Sequence, residues 1–313
     1  MRHVNALMAL LAVVVTATGA ARAEPLLIRN SYVVPVSNWE PMIVEKKELA
    51  RHWGKSYVME AVRYQGTPPM ITALANGELE IANLAYSTLG IAVQNAGISD
   101  LRVISDEFRD GVPGYFSNQF FVRKDSGIKT VEDLKGKVLA TNAIGAGVDI
   151  AMKAGLKKHG LIDKRDFTVI EAPLPAMPAM LNEIGVPLFD QTLGLGPSQF
   201  VFWAARQSFI DKNRAVLIDY MEDMLRIERW YLDPKNHDEA MQIASKLLKI
   251  PADRFGWLYT KKDYYHDPDM KPDLVALQKN VDVALDLGII KSRVDVKQHS
   301  DLSLIEEAAK RLK

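Results

Sequence analysis

The chain has 313 residues, of which 48% are hydrophobic and 25% are charged, and this composition is typical of a globular protein with a large core. Lys+Arg and Asp+Glu number 39 each, so charge gives no reason to expect a nucleic-acid partner. The sequence contains no cysteine, which excludes disulfides, cysteine nucleophiles, iron–sulfur clusters and thiolate zinc sites.

The first 23 residues have the pattern of a secretory signal peptide. A short basic start (Arg2, His3) precedes an apolar run over residues 6–17, and Ala21-Arg22-Ala23 is a small-x-small cleavage pattern. The apolar run is too short to span a bilayer, although a retained membrane anchor is the alternative. No cysteine follows that could accept a lipid. We therefore expect a soluble protein exported to the periplasm of a Gram-negative cell.

Strands and helices alternate through the first two thirds of the chain, which predicts an α/β fold with mostly parallel strands. The predicted strands of the first block span residues 26–29, 57–64, 81–84 and 101–104, and helices follow at 42–53, from Thr67 and from Tyr86. A Gly/Pro cluster at 110–114 starts a second block, with strands predicted at 115–123, 138–140, 168–170 and 199–205. Residues from 209 onward are predicted to be almost entirely helical.

The most informative segment is Thr130–Leu161. It predicts a short capped helix, a compact buried strand over 138–140, a loop opened by Gly145 and Gly147, and a helix from about Val148. Unpaired N–H groups and the dipole of such a helix favour an anion at its start. Because Ile150 stands where a third glycine would be needed, the segment does not predict a dinucleotide site.

Loops that follow predicted strands supply the candidate ligand-binding residues, because ligands of open α/β sheets collect at the carboxyl ends of strands. The candidates are Ser37, Asn38, Trp39, Gln65, Gly66, Thr67, Tyr86 and Ser87 in the first block, and Asn142, Gly145 and Gly147 in the second. Two alternatives remain open. The first is that Thr67 and Ser87 only cap their helices. The second is that Trp39 and Tyr86 are core aromatics rather than stacking partners of a ligand.

Motifs for catalysis or for metal binding are absent from the sequence. There is no HExxH, GxSxG or Walker A motif. His266, Asp267 and Asp269 lie close together, but in a proline-containing stretch that is better interpreted as a solvated turn than as a metal site. We therefore predict no catalytic residue, no metal and no cofactor.

Four segments together resemble the periplasmic substrate-binding proteins of ABC importers, in the branch that binds sulfonates, taurine, nitrate and thiamine precursors. They are RYQGTPPMITALANGELEIANLAYSTL (63–89), TVEDLKGKVLATNAIGAGVD (130–149), APLPAMPAML (172–181) and ARQSFIDKNRAVLIDYMEDMLRIERWYLDP (205–234). The chain departs from the family after Met180–Glu183, where a strand and a helix of the second lobe are shortened or missing.

The resemblance implies a type II periplasmic-binding fold, in which two α/β lobes joined by a two-strand hinge close on a ligand. Lobe one would comprise 24–110 and the helical return 207–313, and lobe two would comprise 111–206. Residues Gln65–Thr67, Tyr86 and Ser87 would then face Asn142, Gly145 and Gly147 across a cleft. The expected partners are a small anionic ligand and a membrane permease, and the expected state is a monomer.

We therefore expect a protein that captures a small organic anion, either a sulfonate or a carboxylate. Few basic residues occur in the candidate loops, so an aromatic or otherwise partly apolar carboxylate also fits. The alternatives are an exported enzyme on the same scaffold and a subunit that presents its ligand to a sensor.

Overall fold

The computed structural model describes residues 24–182 and 185–312, so the predicted signal peptide lies outside the described residues. The strands, in chain order, are β1 (Leu26–Tyr32), β2 (Tyr57–Arg63), β3 (Ala82–Ala85), β4 (Leu101–Asp110), β5 (Gln119–Arg123), β6 (Val138–Thr141), β7 (Thr168–Glu171), β8 (Gly185–Asp190) and β9 (Ser198–Arg206). The helices are α1 (Trp39–Glu45), α2 (Thr67–Ala75), α3 (Tyr86–Gln94), α4 (Gly147–Lys158), α5 (Met177–Met180), α6 (Thr192–Leu195), α7 (Gln207–Leu232), α8 (His237–Leu248), α9 (Leu274–Asp286) and α10 (Ser303–Arg311). The predicted α/β class is confirmed.

Parallel strands connected through helices dominate the N-terminal part. Strand β1 pairs in parallel with β2, with Leu26 opposite Tyr57. A single parallel bridge, Asn30 to Ile81, links β1 to the chain that enters β3. Strand β9 runs antiparallel between β3 and β4. The strand predicted at 199–205 thus pairs with the first block, although it follows the second block in sequence.

The buried apolar residues form three clusters. The first surrounds Trp39, Trp203 and Tyr220 and includes much of α7, whose amphipathic sequence buries Leu217, Met221 and Leu225. The second lies around Tyr86, Phe202 and the packed face of α9. The third is small and lies within residues 119–193, between α4 and its neighbouring strands. The division into lobes at residues 110 and 206 stays a prediction.

The segment 119–193 contains two separate two-stranded sheets, β5–β8 and β6–β7. Strand β8 was not predicted; it pairs antiparallel with β5 directly after the shortened passage. The prediction that 138–140 is a buried strand is wrong for Val138, whose side chain is 63% exposed. Strand β6 pairs only with β7 among the described residues, so its other edge is uncovered.

Several predicted helices are shorter than expected. The helix predicted over 42–53 ends at Glu45, and a single 3-10 turn follows. The capped helix expected at Thr130 is also only a 3-10 turn, although Asp133 accepts the Thr130 backbone N–H at 2.9 Å as its capping role requires. None of the helices within 24–182 and 185–312 combines the length and apolar character needed to cross a membrane.

Candidate functional site

A cavity of about 270 Å³ lies at the carboxyl ends of β1, β3 and the chain around β6. We call it the cleft cavity. Its walls combine amide and hydroxyl groups with apolar and aromatic side chains, and no charged residue lines it among the described residues; the lining residues are Val33, Val34, Ser37, Asn38, Thr67, Asn83, Ala85, Phe108, Asn118, Asn142, Ala146, Gly147, Val148, Leu174, Phe200, Val201 and Tyr264.

Four helices begin at this cavity. Asn38, Ala85 and Ala146 precede the first residues of α1, α3 and α4, and Thr67 is the first residue of α2; all four residues line the wall. The N–H groups of a first helical turn have no partner within the helix, and the dipole makes that end partly positive. The Trp39 N–H of α1 already donates to Glu107, and Pro68 and Pro69 of α2 have no N–H. The N-termini of α3 and α4 are therefore the ones that can hold a negative charge here without a cationic side chain.

Two polar side-chain atoms of this wall are unpartnered within the described part of the chain. The Thr67 hydroxyl and the Asn142 Oδ1 are both buried, and neither makes a hydrogen bond. Leaving such a group unpaired costs about 1–3 kcal/mol. A ligand that accepts from the Thr67 hydroxyl and donates to Asn142 Oδ1 would relieve both costs.

Thr67 is not a helix cap, so that alternative is wrong for this residue. The N-cap of α2 is Gly66, and Thr67 occupies the first helical position with no side-chain bond to the backbone. Ser87 does not cap α3 either, because its hydroxyl donates to the Gly145 carbonyl at 2.9 Å. The Ser87 side chain is therefore directed toward the opposite loop, whereas Thr67 lines the cleft cavity.

Four hydrogen bonds join the predicted loops of the two blocks, and the bond from Ser87 to Gly145 is one of them. Tyr86 donates its hydroxyl hydrogen to the Gly147 carbonyl at 2.7 Å. The amides of Gln65 and Asn142 form a reciprocal pair, in which each donates to the other's backbone carbonyl at 3.1 and 3.0 Å. Tyr86 is fully buried and Gln65 lies outside the cavity wall, so these residues join the two walls.

Glycine is needed at two of these positions because the loops approach each other closely. A Cβ added at Gly66 would lie 2.6 Å from the Ala143 Cβ. A Cβ added at Gly147 would lie 2.6 Å from an edge carbon of Phe200. Gly145 has a different requirement, since its φ of +84° is in the left-handed region.

Ser37 and Asn38 line the cavity, but Trp39 does not. The Asn38 amide is already used: its Oδ1 accepts the Val33 and Val34 N–H groups, and its Nδ2 donates to Glu107. The Trp39 ring is 1% exposed and stacks on Tyr259 with centroids 4.9 Å apart. Trp39 is therefore a core aromatic and not a stacking partner in the cleft cavity.

The sequence did not predict the aromatic wall formed by Phe108, Phe200 and Tyr264. Phe108 stacks on Tyr264 with centroids 4.5 Å apart and meets Phe200 edge-on at 5.6 Å. Tyr264 belongs to the stretch interpreted as a solvated turn, and that interpretation is wrong for His266, which is buried against Trp39. The sequence signal that could have indicated buried aromatic residues here is the pair Tyr264-Tyr265 directly before His266.

Burial shifts two carboxyls under the wall toward their neutral form, and at neutral pH only Glu107 of the two is mostly protonated. Burial raises the pKa of Glu107, whose carboxylate oxygen accepts from Asn38, to about 8. Burial likewise raises the pKa of Asp110, which accepts the Asn118 N–H, to about 6. A neutral Glu107 does not repel an anion in the neighbouring cavity.

Residues 38–172 match a family described as the periplasmic substrate-binding protein of phosphonate ABC transporters. This segment contains every predicted ligand-binding residue except Ser37.

The fold recurs in solved structures. The alkanesulfonate-binding protein SsuA from Xanthomonas axonopodis pv. citri, bound to MOPS, is 16% identical with a TM-score of 0.68, over 90% of this chain and 99% of that one. The nitrate-binding protein NrtA from Synechocystis PCC 6803 is 14% identical with a TM-score of 0.70, over 93% of this chain and 90% of that one. The desulfurization enzyme DSZB is 13% identical with a TM-score of 0.63, over 92% of this chain and 100% of that one.

The resemblance found in the sequence is thereby confirmed. The predicted type II periplasmic-binding fold is the fold of these neighbours, and it extends over about nine tenths of the chain. The family model matches residues 38–172, which is less than half of the chain, and the wider likeness to the solved structures is a likeness of fold.

Proposed function

We propose that this protein captures a small organic anion in the cleft cavity and delivers it to the permease of an ABC importer. The observation that carries the proposal is the pair of unpartnered buried atoms, Thr67 Oγ1 and Asn142 Oδ1, in a cavity surrounded by helix N-termini. An oxyanion bearing one hydroxyl or protonated oxygen complements this arrangement, because it both accepts and donates hydrogen bonds.

Sulfonate and carboxylate are the head groups that we favour. Neither carries a proton at neutral pH, so the donor to Asn142 Oδ1 would be a hydroxyl or amine elsewhere on the ligand. The fold neighbours named for alkanesulfonate and nitrate, and the family named for phosphonate, all concern oxyanions. The wall of Phe108, Phe200 and Tyr264 supports a ligand with an aromatic or apolar part next to its charge. Residues Ser37, Thr67, Asn142 and Gly147 would contact the ligand directly.

The remaining candidates would act by closing the site. In this proposal residues 24–110 with 207–312 form lobe one, and 111–206 form lobe two apart from β9. Gln65, Tyr86 and Ser87 would then hold the lobes together over a bound ligand through their bonds to the 142–147 loop. The protein would act as a monomer in the periplasm after removal of residues 1–23.

A ligand panel followed by thermal shift and calorimetry tests the function. A true ligand at 100 times its Kd adds about 2.7 kcal/mol to the free energy of unfolding. We expect a hit among sulfonates or carboxylates, recovered chemically unchanged. Thr67→Val should weaken this binding while leaving the unliganded melting temperature nearly unaltered. Thr72→Val, at an exposed position of the same helix, is the matched control.

Two outcomes would contradict the proposal. Equal affinity in Thr67→Val and Thr72→Val would show that the Thr67 hydroxyl does not meet the ligand. Conversion of the ligand to a product would favour the enzyme alternative, for which DSZB provides a precedent of fold. Carboxylate, imidazole and amine groups are absent from the described residues of the cavity wall, which supports binding without chemistry.

A further inference from the structure

A second and larger cavity, of about 580 Å³, lies inside the segment 119–193, between β5 and β6. We call it the apolar cavity. Aliphatic and aromatic side chains provide most of its wall, among them Phe120, Leu139, Met152, Met177, Leu188 and Phe189. Four of its lining residues, Asn118, Asn142, Val148 and Leu174, also line the cleft cavity, so the two spaces adjoin.

The apolar cavity exists because β5 and β6 do not pair with each other. Strand β5 pairs with β8 and β6 with β7, and no backbone hydrogen bond joins β5 to β6 among the described residues. Consecutive residues of both strands, 118–123 and 137–142, border the gap. Leu174 and Met180, on the short turns that border the gap, stay 39% and 43% exposed. The space is therefore apolar and accessible.

The sizes of the two cavities suit two parts of one molecule. Ligand sites for small molecules have volumes of about 300–1,000 Å³ and are mostly apolar with a few polar groups. The cleft cavity, at about 270 Å³, has polar atoms and helix N-termini but little room. The apolar cavity has more room and a mostly apolar wall, with the cations Arg123 and Lys137 on its border, and its methionines adapt to different shapes.

We propose that the ligand is an amphiphilic anion whose apolar chain occupies the apolar cavity while its head group lies in the cleft cavity. The inference rests on the proposed function, because it takes the anion site as given. The chain passes Val148 and Leu174, which border both spaces. It covers apolar surface of β5 and β6 that is otherwise left to water.

The test uses linear 1-alkanesulfonates from propane- to decanesulfonate, measured by calorimetry on the mature protein. Each buried methylene should tighten binding about fourfold until the apolar cavity is full. A matching series of fatty carboxylates shows whether the same dependence holds for the other head group. Affinity that does not change with chain length would overturn the inference.

A cavity-filling variant locates the chain. Met180→Trp places a large side chain at a partly exposed position of the apolar cavity. We expect it to weaken decanesulfonate binding about tenfold or more and to leave propanesulfonate binding unchanged. Ile162→Trp is the matched control, since Ile162 is 45% exposed in the same segment and borders neither cavity. Leu174→Trp replaces Met180→Trp if the latter does not melt cooperatively.

The outcomes separate this inference from the proposed function. If propanesulfonate or a short carboxylate binds and Thr67→Val weakens it, while Met180→Trp and Leu174→Trp leave long chains unaffected, the inference fails and the function stands. If no anion of either series binds, the proposed function fails, and the inference fails with it.

Discussion

The hydroxyl of Tyr86 donates to the carbonyl of Gly147 at 2.7 Å, which joins the first turn of α3 to the first turn of α4. This bond connects two loops that lie 61 positions apart in the sequence. It belongs to neither a strand pair nor a helix, so its contribution is to hold the two walls of the cleft cavity together.

We expect Tyr86→Phe to weaken ligand binding more than folding stability. A net hydrogen bond contributes about 0.5–1.5 kcal/mol, and its loss lowers the population of the form in which the loops meet. The ring itself is kept, so the packing against Phe200 remains. Calorimetry should show an affinity reduced by about twofold to tenfold. Unchanged affinity with a lowered melting temperature would mean that Tyr86 is a core residue only.

We expect Gly66→Ala to impair the approach of the two loops. The added Cβ would lie 2.6 Å from the Ala143 Cβ, and overpacking of this kind costs about 1–3 kcal/mol. Backbone strain does not contribute, because the φ of Gly66 is −170°, which any residue adopts. Gly256→Ala, where a Cβ would approach no atom closer than 3.9 Å, is the control. Affinities that are equal in both variants would show that the loops do not need to meet.

Glu107 should make the protein less stable as the pH rises. Its pKa is raised to about 8 by burial, whereas an unfolded glutamate titrates near its ordinary value of 4.5. Between these values the folded state binds a proton that the unfolded state does not. The stabilisation is therefore complete below about pH 4.5 and is lost as pH rises through about 8, at about 1.4 kcal/mol per pH unit.

The measurement is chemical denaturation of Glu107→Gln and the parent protein between pH 5 and pH 8. Glutamine keeps an oxygen that can accept from Asn38 and the Trp39 N–H, as Glu107 does. We expect the variant to lose less stability over this range by the share that Glu107 contributes. Asp106 and Asp263, whose pKa values burial raises to about 7, keep part of the decline. Glu60→Gln, at an exposed carboxyl, should behave like the parent. Parallel curves for parent and Glu107→Gln would show that another buried group governs the decline.

His266 should have the opposite effect at lower pH, where it makes the protein less stable as the pH falls. Burial against Trp39 lowers its pKa to about 4. Between this value and the ordinary 6.5, the unfolded chain binds a proton that the folded protein does not, so stability falls as pH falls through that range. His266→Gln should flatten the acid side of the stability profile, measured by the same denaturation series. An unaltered acid side would place the titrating group elsewhere.

Local sequence was sufficient to predict the elements that position the site. The strands around Ile28 and Leu84, and the helices that begin near Thr67, Tyr86 and Gly147, follow from periodicity, glycines and turn residues. Those signals lie within a few residues of the elements that they define, so no knowledge of tertiary contacts was needed.

Features that depend on distant partners could not be predicted in this way. The aromatic wall brings together Phe108, Phe200 and Tyr264 from three remote positions. Val138 is exposed on a strand that has β7 along one edge and, in the described part of the chain, no strand along the other, which its own sequence does not encode. Trp39 follows a polar loop, and only its stacking on Tyr259 assigns it to the core.

The uncovered edges of β5 and β6 also bear on how copies of this protein behave toward one another. Unpaired strand edges with apolar side chains such as Phe121 and Val138 favour edge-to-edge association. Both edges are short, and exposed cations at Arg123, Lys124 and Lys137 border them. Like charges on two approaching edges repel, and salt screens that repulsion. Colloidal behaviour of the protein should therefore depend on ionic strength, with monodisperse solutions favoured at low salt.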